Sequence, residues 1–234
     1  MQPVKKAKLN VIDKMGQPRA PLSRALILRA ALVIIDNDGL NGLTVRKLSA
    51  RLGVTAMAIY RHFKNKAAIE HELVDLVVGD YDVINHSRDD WVEWLYTTYA
   101  KMRHALCNHP GVMPLLDNAS YQGGNALTVM DRILQELRRA GLSERQAAQL
   151  FHTLMAYMVG TVVLMNEEAR RAIVAGKSDT DTAVAGRSRK LSFEMVSLSP
   201  YPHIAELAPH LAQVDAERQF RESVLQIIKS VAAS

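Results

Sequence analysis

The stretch LTVRKLSARLGVTAMAIYRHFKNKAAI, Leu43–Ile69, decides the fold. Thr44 and Thr55 each precede a short run of apolar residues at helical spacing, and Gly53 separates the runs. A Thr there accepts hydrogen bonds from the first turn of a helix, and a Gly after the run takes the left-handed conformation that ends one. The spacing predicts a helix over Val45–Leu52, with Val45, Leu48 and Leu52 on one face and Arg46, Lys47 and Arg51 off it. It predicts another over Ala56–His62, anchored by Ile59 and Phe63.

Two capped helices around a Gly turn, with basic residues facing out, form a helix-turn-helix unit. In such a unit the second helix enters the major groove of DNA while the first braces it across the backbone. Outward from this core, Ser23 is placed to cap an earlier helix carrying Ile27, Ala30, Ala31, Ile34 and Ile35, with Gly39 as its stop. A fourth helix is expected over Lys66–Tyr81, burying Ile69, Leu73, Leu76 and Val77. Residues 1–20 contain Pro3, Gly16 and Pro18 and show no sustained apolar period, so they read as a flexible basic arm. Its Lys5, Lys6, Lys8 and Lys14 either follow a nucleic-acid backbone or form an idle tail.

The charge follows the same division. Thirteen Lys or Arg stand against three Asp up to Lys66, whereas sixteen basic residues stand against twenty-one acidic ones beyond it. Only the front of the chain is therefore suited to a polyanion.

Beyond residue 81 the pattern stays helical. Asp90 is placed to cap a helix over Trp91–Asn108 that stops at Pro110, and a further helix starts at Asn125 and closes with Arg138, Arg139 and Gly141. SERQ, Ser143–Gln146, is a capping-box pattern. It opens an apolar segment, Ala147–Asn166, that we read as a core helix buried on all sides in a soluble bundle rather than as a membrane span. Helix order is expected to lapse between Glu167 and Lys190. A short helix follows near PYPHIAELAPHLAQ, and a last one over Asp215–Val231 carries Phe220, Val224, Ile227 and Val231. No segment alternates as a strand, so the fold class is all-α: an N-terminal helix-turn-helix DNA-binding domain plus a larger helical domain. The expected divisions are an arm at 1–20, the helix-turn-helix at 21–66, a connecting helix at 67–81 and the larger domain at 82–234.

Several chemistries are disfavoured. There is no paired-His metal motif, nucleophile elbow or glycine-rich phosphate loop, so neither an enzyme nor a bound metal or cofactor is expected. Cys107 is the single cysteine. It has no partner for an internal disulfide, and the first residues carry no apolar signal run, so a reducing cytoplasm is the expected compartment. The competing reading is an all-α scaffold or small-molecule carrier whose basic front meets protein or membrane phosphate.

The run from Ile27 to Ile69 resembles the N-terminal domain of TetR-family transcriptional regulators. The matching pieces are G-L-x-G-L-T at Gly39–Thr44, R-K-L at Arg46–Leu48, L-G-V at Leu52–Val54 and Y-x-H-x-K-N-K at Tyr60–Lys66. The later W-x-x-x-L, H-P and RAGLSERQAAQLFHTLMAYMVG are similar to the same family's regulatory domain. The resemblance implies a homodimeric repressor that binds an operator in double-stranded DNA and answers to a small-molecule effector. It puts Arg46 at a guanine edge, and Thr44, Thr55, Tyr60 and Lys66 on phosphates. Ala56, Met57 and Ala58 stand where tetracycline-responsive members present Gln, Pro and Thr. Readout is then expected to lean on Arg46 and Arg61, on apolar contact with thymine methyls and on DNA shape, with His62 packing or touching DNA. In the second part, Trp94, Tyr99, Met102, Met130, Phe151, Met155 and Met158 are expected to project inward. Of these, Trp94, Met102, Met130, Phe151 and Met155 are the candidate ligand wall, with His152 as a polar handle. The loop HPGVMPLLDNAS shows no counterpart of the family's magnesium-liganding His, which leaves the effector open.

Overall fold

A computed structural model describes residues 21–79, 90–116, 124–174, 200–212 and 215–232. Among these, all regular structure is helical. The chain forms two compact units, one holding the described parts of 1–80 and 109–128, the other those of 81–108 and 129–234. The expected basic arm, and the junction preceding Asp90, lie outside the described residues.

In the first unit, α1 (Arg24–Asp38) begins where the Ser23 hydroxyl accepts the Leu26 N–H, and ends at Gly39, whose φ of 72° suits glycine. Its inner face carries Ile27, Ala31, Ile34 and Ile35, all buried. A 3-10 turn, Leu40–Gly42, leads to α2 (Val45–Leu52), capped by Thr44 and closed by Gly53 in the left-handed region. Next comes α3 (Ala56–Tyr60), capped by Thr55. It stops two residues before the expected end because the His62 N–H turns back to Ile59 O at 2.9 Å, an i to i−3 closure. Asn65 then caps α4 (Lys66–Gly79), its Oδ1 accepting the Ala68 N–H at 2.9 Å. Leu48, Ile59, Phe63, Ile69 and Leu73 are buried together with the α1 face. Each such side chain contributes about 1.5–3 kcal/mol, which is what holds helices this short.

The same unit takes in a 3-10 turn, Pro110–Val112, and α6 (Met113–Leu116). This segment packs on α1. Asp36 spends both carboxylate oxygens on it, pairing with His109 Nδ1 at 2.8 Å and accepting the Gly111 N–H at 3.3 Å. Gly111 lies so close that a Cβ there would sit 2.4 Å from the Ile35 carbonyl oxygen.

The second unit is built on α5 (Trp91–Asn108), whose N-terminus is capped by Asp90 through the Glu93 N–H at 3.0 Å. It packs against α8 (Glu144–Val174) and α10 (Ala216–Ala232), which also pack on each other. Two further helices are α7 (Gly124–Arg139), most of it in this unit, and α9 (Pro202–Ala212). The capping box before α8 is reciprocal: Ser143 N–H donates to Gln146 Oε1 at 2.9 Å, and Gln146 N–H donates to Ser143 Oγ at 3.3 Å.

Three expectations change here. First, the part of α8 up to Asn166 is buried along one face only, through Ala147, Leu150, Phe151, Leu154, Met158 and Val162, while Val163 is 46% and Leu164 66% exposed. A low charge content records that a helix tolerates burial, not that a neighbour exists on every side. By length and composition Glu144–Asn166 is apolar enough to cross a bilayer. Its inner row instead packs on α5 and α10. Second, helix order does not lapse at Glu167 but continues to Val174, since EEARRAIV is made mostly of good helix formers and polarity alone does not end a helix; residues 175–190 lie outside the described residues. Third, the inner row of α10 runs Phe220, Val224, Ile228 and Val231, with Ile227 half-buried beside it.

Candidate functional site

The surface around α2 and α3 is set by two caps. Thr44 Oγ1 accepts the Lys47 N–H at 3.1 Å, and Thr55 Oγ1 accepts the Ala58 N–H at 3.3 Å. A hydroxyl that accepts in this way keeps its own hydrogen free to donate, so each Thr can end-cap a helix and still offer a donor to an anion. Both residues are exposed.

Between them the helices present a consistent face. Arg46, Ala56, Met57, Tyr60 and Arg61 are exposed; Ala58, His62 and Lys66 are half-buried. Met57 is 68% and Tyr60 47% exposed. Ile59 and Phe63, one residue away from Tyr60 and His62, are fully inside and fix which way the exposed residues face. Lys47 pairs with Asp38 at 2.8 Å and Lys66 with Glu70 at 3.1 Å. Arg46 and Arg61 have no ion-pair partner among the described residues. The face therefore holds two guanidinium groups with no ion pair among the described residues, two hydroxyl donors and a methyl-rich patch.

In the second unit, Trp94, Met102 and Phe151 are buried, as are Tyr99 and Met158. Met155 is half-buried. The inward projection expected of Met130 is not found: it is 36% exposed, because the inner row of α7 is Ala126, Val129, Ile133 and Leu137, and Met130 is one residue, about 100°, off that row. His152 is likewise exposed, its ring edge-on to Phe151 at 5.7 Å, on the side of α8 away from the inner row. The Tyr99 hydroxyl donates to the Phe151 carbonyl at 3.3 Å, and burial pushes its phenol above the usual tyrosine range.

Arg103 is the residue whose place sequence reading missed. It is only 3% exposed, donates to Glu217 Oε1 at 2.8 Å, directs its other terminal nitrogen at Met165 Sδ at 2.8 Å, and lies 4.6 Å from the centre of the Phe220 ring. The available signal was its position four residues after Tyr99 and eight after Leu95, in a second inner row of α5. One turn on, Cys107 has its thiol pushed up, chiefly by burial and against the pull of Arg103, so it stays protonated. No three His, Cys, Asp or Glu among the described residues converge as a metal site. A groove of about 610 Å³ occurs in the first unit, beside α4, lined by Leu28, Lys64, His71, Asp75 and Asn125 among others. None of the candidate ligand residues lines it.

Comparison with known proteins bears on both units. A family model for bacterial regulatory proteins of the tetR family matches residues 27–73, and one for the tetracyclin repressor-like C-terminal domain matches residues 85–233. The tetracycline repressor protein class A from transposon 1721 of Escherichia coli is 31% identical over 146 residues, 58% of this chain and 64% of that protein. The match thus spans a little under two thirds of that relative's length. Among solved structures, a possible TetR family transcriptional regulator from Streptomyces coelicolor A3(2) is 26% identical, with a TM-score of 0.70 over 90% of this chain and 99% of its own. The TetR family protein ActR of Streptomyces coelicolor, solved in complex with actinorhodin, shares the fold with a TM-score of 0.74 at 21% identity, over 92% of this chain and 97% of that one.

Proposed function

The chain belongs to the tetR family of bacterial regulatory proteins, and from that premise we propose that it is a sequence-specific transcriptional repressor, a homodimer on a palindromic operator, released by an apolar or amphipathic small molecule. One observation carries the reading. The Thr55-capped helix turns Ile59 wholly inward and leaves Ala56, Met57, Tyr60 and Arg61 facing solvent, in the basic part of the chain, with an exposed Arg46 on α2 that has no ion pair among the described residues. A helix N-terminus with hydroxyl donors suits phosphate, a free Arg suits the guanine edge, and Ala and Met suit thymine methyls. Thr44, Thr55, Tyr60 and Lys66 are assigned to the backbone, Arg46 and Arg61 to bases.

Homodimer formation is assigned to the uncovered apolar side chains of α8 and α9, Val163, Leu164, Ile204, Leu207 and Leu211, which a second copy would cover. Twofold pairing sets two reading helices about 34–36 Å apart, one turn of DNA. The effector is assigned to the α5 and α8 residues Trp94, Met102, Phe151 and Met155. A relative that is named a tetracycline repressor and another that was solved with actinorhodin support a small-molecule effector. Release follows if the effector prefers a conformation whose reading heads no longer fit the operator, with α4, which precedes the second unit in the sequence, as the lever. The compartment of such a regulator is the cytoplasm.

The test is selection of duplexes from a random pool by the full chain. A palindromic site is expected, and Arg46→Ala is expected to weaken it by about 1–3 kcal/mol with unchanged unfolding. Binding indifferent to DNA sequence would favour instead a scaffold whose basic front meets other phosphates, and a strict monomer in sedimentation would remove the dimer.

A further inference from the structure

Arg24 opens α1, but its guanidinium serves other elements. It donates to the main-chain carbonyl of His62 and to the carboxylate of Glu72, and it lies 4.1 Å from the centre of the Phe63 ring. One side chain thus touches the turn that follows α3 and the middle of α4.

The need for such a tie follows from the length of α3. A five-residue helix has few internal hydrogen bonds of its own to hold its direction. The Phe63 N–H and the His62 N–H both return to Ile59 O, at 3.0 and 2.9 Å. The His62 carbonyl, in the turn two residues past Tyr60, is taken by the Arg24 guanidinium. Both partners of the Arg24–Glu72 pair are well exposed, at 50% and 36%, so the pair adds little to folding stability. Its consequence is geometric.

Resting on the DNA-binding reading above, we propose that Arg24 is a positioning residue of the DNA interface. It fixes the angle of α3 by tying the turn that follows it to α4, and Glu72 is the partner through which movement of α4 reaches the reading helix. Neither residue need touch DNA.

The experiment uses the full chain, the site it enriches from a random duplex pool, and an unrelated duplex of equal length. Arg24→Ala is expected to weaken the enriched site about tenfold, as one mismatched base pair would. On the unrelated duplex it should lose no more than Arg29→Ala, a charge-matched control on an exposed position of α1. Glu72→Gln gives a contrast of sign. By charge alone it tightens every duplex, whereas the proposal expects weaker binding to the enriched site and tighter binding to the unrelated one. Arg24→Lys, which restores the charge without the fork, should rescue only in part. Arg24→Ala matching Arg29→Ala on both duplexes, or Glu72→Gln tightening both, would overturn the proposal. Should Arg24→Ala fail to fold, the Glu72→Gln comparison decides alone. Failure of the wild-type chain to enrich any site would sink the DNA-binding reading itself, a distinguishable result.

Discussion

The two units use their sequence differently. In the first, helices of five, eight and fifteen residues are delimited one by one, each with its own cap, and α1 and α2 each stop at a positive-φ glycine. In the second, α5 and α8 run for eighteen and thirty-one residues, and what matters is which of several apolar rows finds a neighbour. Short helices are governed by their ends, which are local. Long helices are governed by their faces, which depend on residues far away in the chain.

The largest effect that tests this contrast concerns two glycines. Gly111→Ala should cost about 3 kcal/mol, since backbone and not a movable side chain stands in the way of the new methyl. Gly160→Ala, in open space on α8, should stabilise by about 0.5–1 kcal/mol. Urea unfolding of the two variants measures the difference, and equal midpoints would mean that Gly111 does not abut α1. At an intermediate scale, Thr55→Ala and Ser143→Ala should each cost about 1 kcal/mol. Hydrogen exchange should separate them: loss of Thr55 exposes the whole of α3, whereas loss of Ser143 frays only the first turn of α8. Indistinguishable exchange patterns would dissolve the distinction between ends and faces.

The smallest effect is in the second unit. Tyr99→Phe removes one buried hydroxyl donor and should cost about 0.5–1 kcal/mol at neutral pH. Because burial raises the Tyr99 phenol, the unfolded chain ionises first, and stability should decline as pH rises above about 10. Tyr99→Phe should flatten that decline; an unchanged alkaline slope would locate its cause elsewhere.

Legibility divides along the same line. Ser23, Thr44, Thr55, Asp90 and the Ser143–Gln146 box all act as their positions announce. The outward face of α3 is equally readable, because Ile59 and Phe63 leave it only one orientation. The exposed side of α8, the outward turn of Met130 and the burial of Arg103 are not written locally. Each depends on which helix arrives alongside: Arg103 is accepted inside because Glu217, Met165 and Phe220 come to it from α8 and α10. Arg24 was invisible for the same reason, since its acceptors lie 38 and 48 residues on.

The brevity of α3 has a practical consequence. A helix of five residues cannot sustain itself in water, where a dozen or so are needed even for favourable sequences. A synthetic peptide cut from Thr55 to Lys66 would be a random coil, and grafting those residues into a foreign loop would carry over their chemistry without their shape. Whatever selectivity this surface possesses is a property of the scaffold beneath it, so re-engineering it means exchanging side chains in place.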